Sequence, residues 1–254
     1  MKPGSTLVIC FDGLRRDRVL PELMPNLYTF MRSGSDFINS RSVFPSETRV
    51  AVTSTITGCS PAAHGLVANQ FLHPAISGRP LQTAKIEDLI AAASMGQLID
   101  RLSLGERLSD ADRKMAVIST ASPGATWMMH PEARCLGHPV FSVHGAPIAT
   151  EPLYGAAVAA LGEVPAAKTG NHARLTYVTR VLTEVLWPEE DPDLCLMWLA
   201  EPDTTAHAFG ITAPETAQSQ KMPIFVLVRY CAGGTLVLGL KTLWSCPITA
   251  KYPA

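Results

Sequence analysis

"STLVICFDG", residues 5–13, decides how the rest of the chain is read. Five apolar residues in a row, Leu7 to Phe11, stop at Asp12 and Gly13. An unbroken apolar run has no wet face, so a strand built from it must be covered on both sides. That is the condition of a strand in a parallel sheet. Working outward, "KMAVISTASPG" (114–124) and "DPDLCLMWLAEPD" (191–203) repeat the pattern of an apolar run ending in a turn. Between these runs lie segments with helical patterning: "LPELMPNLYTFMRSG" (20–34), "IEDLIAAASMGQLIDRLSL" (86–104), "TEPLYGAAVAALG" (150–162) and "NHARLTYVTRVLTEVLWP" (171–188). Strands alternating with helices predict an α/β fold, a mostly parallel central sheet with helices on both faces. In such sheets ligands gather outside the carboxyl ends of the strands, where Asp12 and Asp203 fall.

Composition narrows the function classes. The chain has 254 residues, 47% hydrophobic and 17% charged, with a formal net charge of −1. That length and apolar content suit one ordinary domain with a real core and exclude a disordered chain. The balanced charge gives no footprint for nucleic acid. Cys10, Cys59, Cys135, Cys195, Cys231 and Cys246 are scattered with no CxxC pair, as in a reduced protein. The N-terminus shows no long apolar run with a small-residue cleavage site, so a cytoplasmic protein is expected.

Three clusters carry chemistry. Asp12 puts a carboxylate at the end of a strand, where it could hold a cation or simply cap a turn. Asp203 and His207 are four apart and would face the same way on a helix, able to share one metal. The third is "FPSETRVAVTSTITGCSPAAHGLVAN" (44–69), dense in hydroxyls, with Thr48 just before a helix-compatible run. A hydroxyl at a helix start meets unpaired N–H groups and a dipole that favours a phosphoryl group; it also suits an N-cap. His64 reads as a brace for the loop after that helix. His130, His138, His144 and His172 read as surface or hydrogen-bonded residues, and "MGQL" and "WMM" as core.

In order and wording these clusters resemble the type I phosphodiesterase/nucleotide pyrophosphatase family of the alkaline phosphatase superfamily. The matching elements are Asp12 in "FDGLRRD", Pro45-Ser46-Glu47-Thr48, Thr57-Gly58, Pro61 to His64-Gly65, Asn69, and Glu201-Pro202-Asp203 through His207. Arg49, Val50 and Ala51 stand where the family has Pro-Asn. The resemblance implies an alkaline-phosphatase-like sheet and a site for two divalent metals, usually zinc. Thr48 would be the nucleophile, itself ligated to metal and forming a phosphothreonine. Asp12, Asp203 and His207 would be metal ligands, and Asn69 would donate to a phosphoryl oxygen. The substrate implied is a small phosphate diester or nucleotide-like molecule. A sulfatase-like reading of "CSPAAHG" lacks the arginine of that element and places Cys59 away from the nucleophile position.

The end of the chain departs from this pattern. The family pattern adds an Asp-His pair and a later His, whereas here residues 211 to 254 hold one acid, Glu215, and no His. From Lys221 on, the sequence is apolar and basic. We therefore expect a phosphodiesterase domain over 1–216, its sheet incomplete at the C-terminus, and an atypical tail over 217–254. Truncation or a frame shift would give a catalytically inactive family member as the alternative. The stretch Pro223 to Leu240 is interrupted by Arg229 and two glycines, so a hairpin of "IFVLV" and "TLVLGL" is expected there rather than a membrane span.

Overall fold

The computed structural model describes residues 4–221 apart from 97, 171 and 191, together with two later strands. In chain order these residues form β1 (Thr6–Asp12), α1 (Pro25–Ser33), β2 (Ser35–Asp36), α2 (Thr48–Thr57), α3 (Pro61–His64), β3 (Gln70–Phe71) and β4 (Leu81–Gln82). Then come α4 (Ile86–Ala93), α5 (Leu104–Asp110), β5 (Met115–Ser119), α6 (Pro123–Met129), β6 (Val140–Ser142), α7 (Glu151–Leu161) and α8 (His172–Arg180). A π-helical stretch, Val181–Leu186, carries α8 into α9 (Trp187–Glu189). The order closes with β7 (Leu194–Leu199), α10 (Asp203–Phe209), α11 (Pro214–Ser219), β8 (Thr235–Lys241) and β9 (Pro247–Lys251).

The main sheet runs β2-β9-β8-β1-β7-β5-β6. The strands from β8 to β6 are all parallel, and β9 closes the edge antiparallel to β8 and β2. Side-chain alternation explains why both faces are covered. Leu7, Ile9 and Phe11 of β1, with Ala116, Ile118, Cys195, Met197 and Leu199, enter a core shared with α1, α7 and α8. Cys10, Met115, Val117, Leu196 and Trp198 enter the opposite core, under α2, α4 and α6. Each fully buried Leu, Ile or Phe contributes about 1.5–3 kcal/mol, so the unbroken apolar runs are what these strands require. The mostly parallel, helix-covered sheet expected from the sequence is the one observed.

Some local expectations differ. The helix read over 86–104 stops at Ala93; Gly96 takes φ +149°, and a new helix, α5, starts at Leu104 behind a capping box in which Glu106 answers Ser103. Those cap signals outweighed a continuous apolar periodicity. Met128 and Met129 are core as expected, but Met95 of "MGQL" is exposed. Helix α11 forms inside the polar stretch "ITAPETAQSQ" (211–220). "TLVLGL" belongs to β8, parallel to β1; its expected hairpin partner "IFVLV" lies outside the described residues. Among the described residues no helix is long and apolar enough to cross a membrane.

His130 and His138 are buried rather than on the surface, and they bond each other, Nε2 to Nδ1 at 2.7 Å. The His130 ring lies where a Cβ on Gly105 would be, 2.2 Å away, so only glycine fits there. Burial, with His138 adding to it, holds the His130 pKa down at about 4, and burial also lowers that of His138. Below the ordinary value of about 6.5 the unfolded chain binds protons that the folded one refuses. Stability is therefore fully present above about pH 6.5 and falls as the pH drops toward 4. His130→Gln is expected to flatten that fall, read from urea midpoints between about pH 7 and about pH 4.

Candidate active site

The hydroxyls between residues 44 and 69 separate into two groups once α2 forms. Thr53, Thr55 and Thr57 fold back onto the carbonyls of Arg49, Ala51 and Thr53, and Ser54 meets His64 Nε2 at 2.8 Å. Thr48 is the first residue of the helix, not its cap, and has no helical carbonyl behind it to accept its hydroxyl. It reaches across to β1 instead, donating from Oγ1 to Asp12 Oδ2 at 3.1 Å. Asp12 is only 5% exposed and takes a second hydrogen bond, from Trp198 Nε1 at 3.3 Å.

The loop after α3 completes this end of the helix. The first intrahelical bond of α2 runs from Ala51 N–H to the Glu47 carbonyl, so the N–H groups of Thr48, Arg49 and Val50 precede the ladder. Asn69 Oδ1 accepts from the Arg49 N–H at 3.2 Å, while the Asn69 N–H donates to the Glu47 carboxylate. With Oδ1 so engaged, the Asn69 amide turns its NH₂ away from that bond as a donor. Thr83 is fully buried and holds the Asn69 carbonyl from Oγ1 at 2.7 Å and from N–H at 3.0 Å. Arg49 Nε donates to the same Thr83 Oγ1 at 3.2 Å. Burial lowers the Arg49 pKa against the opposing fields of Asp12, Glu47 and Asp203, which places all three carboxylates around the guanidinium.

Asp203 approaches from β7. Because β1 and β7 are parallel neighbours, with Phe11 paired to Leu199, both chains leave the sheet at the same edge. Gly13 turns there with φ +71°, and a Cβ on it would sit 2.7 Å from Asp203 Cα. Helix α10 starts at Asp203, and its first turn is pinned by buried Glu201, whose Oε2 accepts from the Thr205 N–H and hydroxyl. The helix puts His207 beside Asp203, Nε2 to Oδ2 at 3.5 Å, with the imidazole 81% exposed.

Thr48, Asn69, Asp12 and Asp203 thus meet at one edge of the sheet, and His207 joins through Asp203. His64 stands apart as a brace: fully buried, its Nδ1 accepts the Leu66 N–H at 3.2 Å, so Nε2 carries the proton toward Ser54. That tautomer cannot take a proton from Ser54. Cys59 lies beyond Gly58 at the other end of α2 from Thr48. Sequence reasoning passed over Arg49, Glu47, Thr83 and Trp198, which support the candidate site from α2, from the residue before it, from the segment after β4 and from β7. A cation at the second position of a helix, against its dipole, was the one signal that could have drawn attention to Arg49.

The donors suit a divalent cation in kind, being carboxylate oxygens, a hydroxyl and an imidazole. Among the described residues they come as pairs, Asp12 with Thr48 and Asp203 with His207. No three His, Cys, Asp or Glu side chains gather there into one ligand group.

Comparison with known proteins identifies the family and the fold. Residues 6–222 match the sequence profile described as type I phosphodiesterase / nucleotide pyrophosphatase. A bis(5'-adenosyl)-triphosphatase, enpp4 of Xenopus laevis, is 36% identical over 65 residues, 26% of this chain and 14% of that protein. Phosphonoacetate hydrolase from Sinorhizobium meliloti, solved with phosphonoacetate, superposes with a TM-score of 0.68 at 21% identity, covering 94% of this chain and 56% of that one. Murine ectonucleotide pyrophosphatase / phosphodiesterase 5, solved in an inactive form with AMP, gives 0.57 at 16% identity, covering 95% and 57%. The chain spans just over half the length of these solved structures.

Gly13→Ala tests the approach of Asp203. The new methyl group would strike backbone, and the positive φ adds strain, so a loss of about 1–3 kcal/mol is expected in urea unfolding. Gly58→Ala, where a Cβ meets nothing within 4 Å, separates the two causes, since it carries the φ strain alone.

Proposed function

Because the chain belongs to the type I phosphodiesterase/nucleotide pyrophosphatase family, we propose that it is a metal-dependent hydrolase of phosphate diesters or nucleotide-like pyrophosphates, acting through Thr48. The observation that carries this reading is the Thr48 hydroxyl: it stands at the start of α2 and donates to a buried carboxylate, while its neighbours fold back onto the helix. Thr48 Oγ attacks phosphorus in line, the bond to the leaving alkoxide or phosphate breaks, and water then cleaves the phosphothreonine. Asp12 orients the hydroxyl and accepts its hydrogen bond. The Asn69 NH₂ and the Thr48 and Val50 N–H groups face the charge that builds on the nonbridging oxygens. Asp12 and Thr48 on one side, and Asp203 with His207 on the other, are the residues that would hold divalent ions. Such an ion, zinc by resemblance, would lower the pKa of a hydroxyl that is otherwise far too weak an acid.

We assign this chemistry to residues 1–216, which hold every residue named, with 217–254 as the compositionally distinct tail. The substrate class is supported by relatives whose names or bound molecules are adenosine phosphates. A second reading is a family member that binds phosphate without turning it over. It is supported by the pairing of the metal donors without a third His, Cys, Asp or Glu among the described residues.

Hydrolysis of bis-p-nitrophenyl phosphate by the 254-residue chain with zinc decides between them. Turnover that falls by roughly 10³-fold or more in Thr48→Ala is the expected result. Thr48→Ala as active as the parent would remove the proposed nucleophile. No turnover by the parent, with fewer than about one tightly bound metal per chain, would favour the second reading.

A further inference from the structure

We propose that Arg49 is a substrate-positioning residue, its two Nη groups taking nonbridging oxygens of the phosphoryl group bound at Thr48. The inference rests on the phosphoryl site proposed above and adds a residue to it.

Four observations converge on this side chain. First, its position runs against local preference. Arg49 is the second residue of α2, where the helix dipole disfavours a cation, and the first turn of that helix holds no acidic residue to offset it. A residue that breaks a local rule without an evident structural gain points to function. Second, its direction is fixed: Nε is tied to fully buried Thr83, which is itself tied to the Asn69 backbone. Third, among the described residues that Nε bond is the side chain's hydrogen bond, and no carboxylate lies within 4 Å to form an ion pair. The Nη fork is thus left to a ligand. Fourth, two of the three carboxylates around it already have donors. Asp12 is bonded by Thr48 and Trp198, and Glu47 by the Asn69 N–H, so their charge is partly spread.

A guanidinium anchored at Nε offers two parallel N–H groups, the geometry that matches two oxygens of a phosphoryl group. Its backbone N–H meanwhile locks the Asn69 amide, so a single residue sets two of the donors facing the phosphorus.

Inorganic phosphate is the probe, titrated calorimetrically into the full chain with zinc and again with a chelator. Arg49→Gln is expected to weaken phosphate binding by roughly ten- to hundredfold, and Arg49→Lys to recover only part, because an ammonium cannot bind two oxygens in parallel. In turnover, Arg49→Lys is expected to raise KM more than it lowers kcat, a split that mere loosening of the helix would not give. Urea midpoints establish that the variants are folded; should Arg49→Gln unfold, Arg49→Lys carries the same comparison. Unchanged phosphate affinity in folded variants overturns the inference, as does a parent chain that binds no phosphate in either condition. The hydrolase reading fails separately. A parent that binds phosphate through Arg49 without turnover keeps this inference and loses that reading, while Thr48-dependent turnover indifferent to Arg49 does the reverse.

Discussion

Asp12 is a buried carboxylate, and a buried charge must be met by donors or it destabilises the fold. Among the described residues, donors reach it from two directions: Trp198 on the neighbouring strand β7, and Thr48 on helix α2. The parallel pairing of β1 with β7 brings the first into reach, and the packing of Val52 and Ile56 against the sheet brings the second. The start of α2 is thereby fastened to the end of β1. The Asn69 loop, Arg49 and Thr83 all follow from where that helix begins.

The same constraint explains how a hydroxyl-rich sequence can be mostly structural and still turn one hydroxyl off the helix. Inside a helix a threonine hydroxyl bonds the carbonyl four residues back, and Thr53, Thr55 and Thr57 do so. At the first helical position that carbonyl points elsewhere, so Thr48 turns outward. Position within the helix, rather than residue type, sets its role.

The sheet was legible because β1, β5 and β7 must be apolar on both faces, a pattern few other structures produce. The gathering of Thr48, Asp12 and the Asp203–His207 pair at one sheet edge was legible for a related reason: each stands at a fixed offset from the end of a strand or the start of a helix. The break after Ala93 was less so, because an apolar period runs through it and only Gly96 and the Ser103–Glu106 box interrupt. Trp198 was illegible as part of the candidate site, and Arg49 nearly so, its place against the helix dipole being its one mark; both join it through contacts made across 186 and 34 residues of chain. The burial of His130 was hidden for the same reason, its partner space being created by the missing side chain of Gly105.

The pairing of β1 also governs how the chain can reach this state. Thr6 meets Leu194 and Phe11 meets Leu199, so β1 finds this neighbour only after all the elements between them, α1 to α9, have been synthesised. Closing so long a loop is entropically costly and puts the fold among the slow, non-locally paired class. Until then "TLVICF" leaves the ribosome as an apolar segment with open backbone edges, a template for unwanted pairing with other chains. The strand that carries Asp12 is therefore also a segment that depends on protection during synthesis.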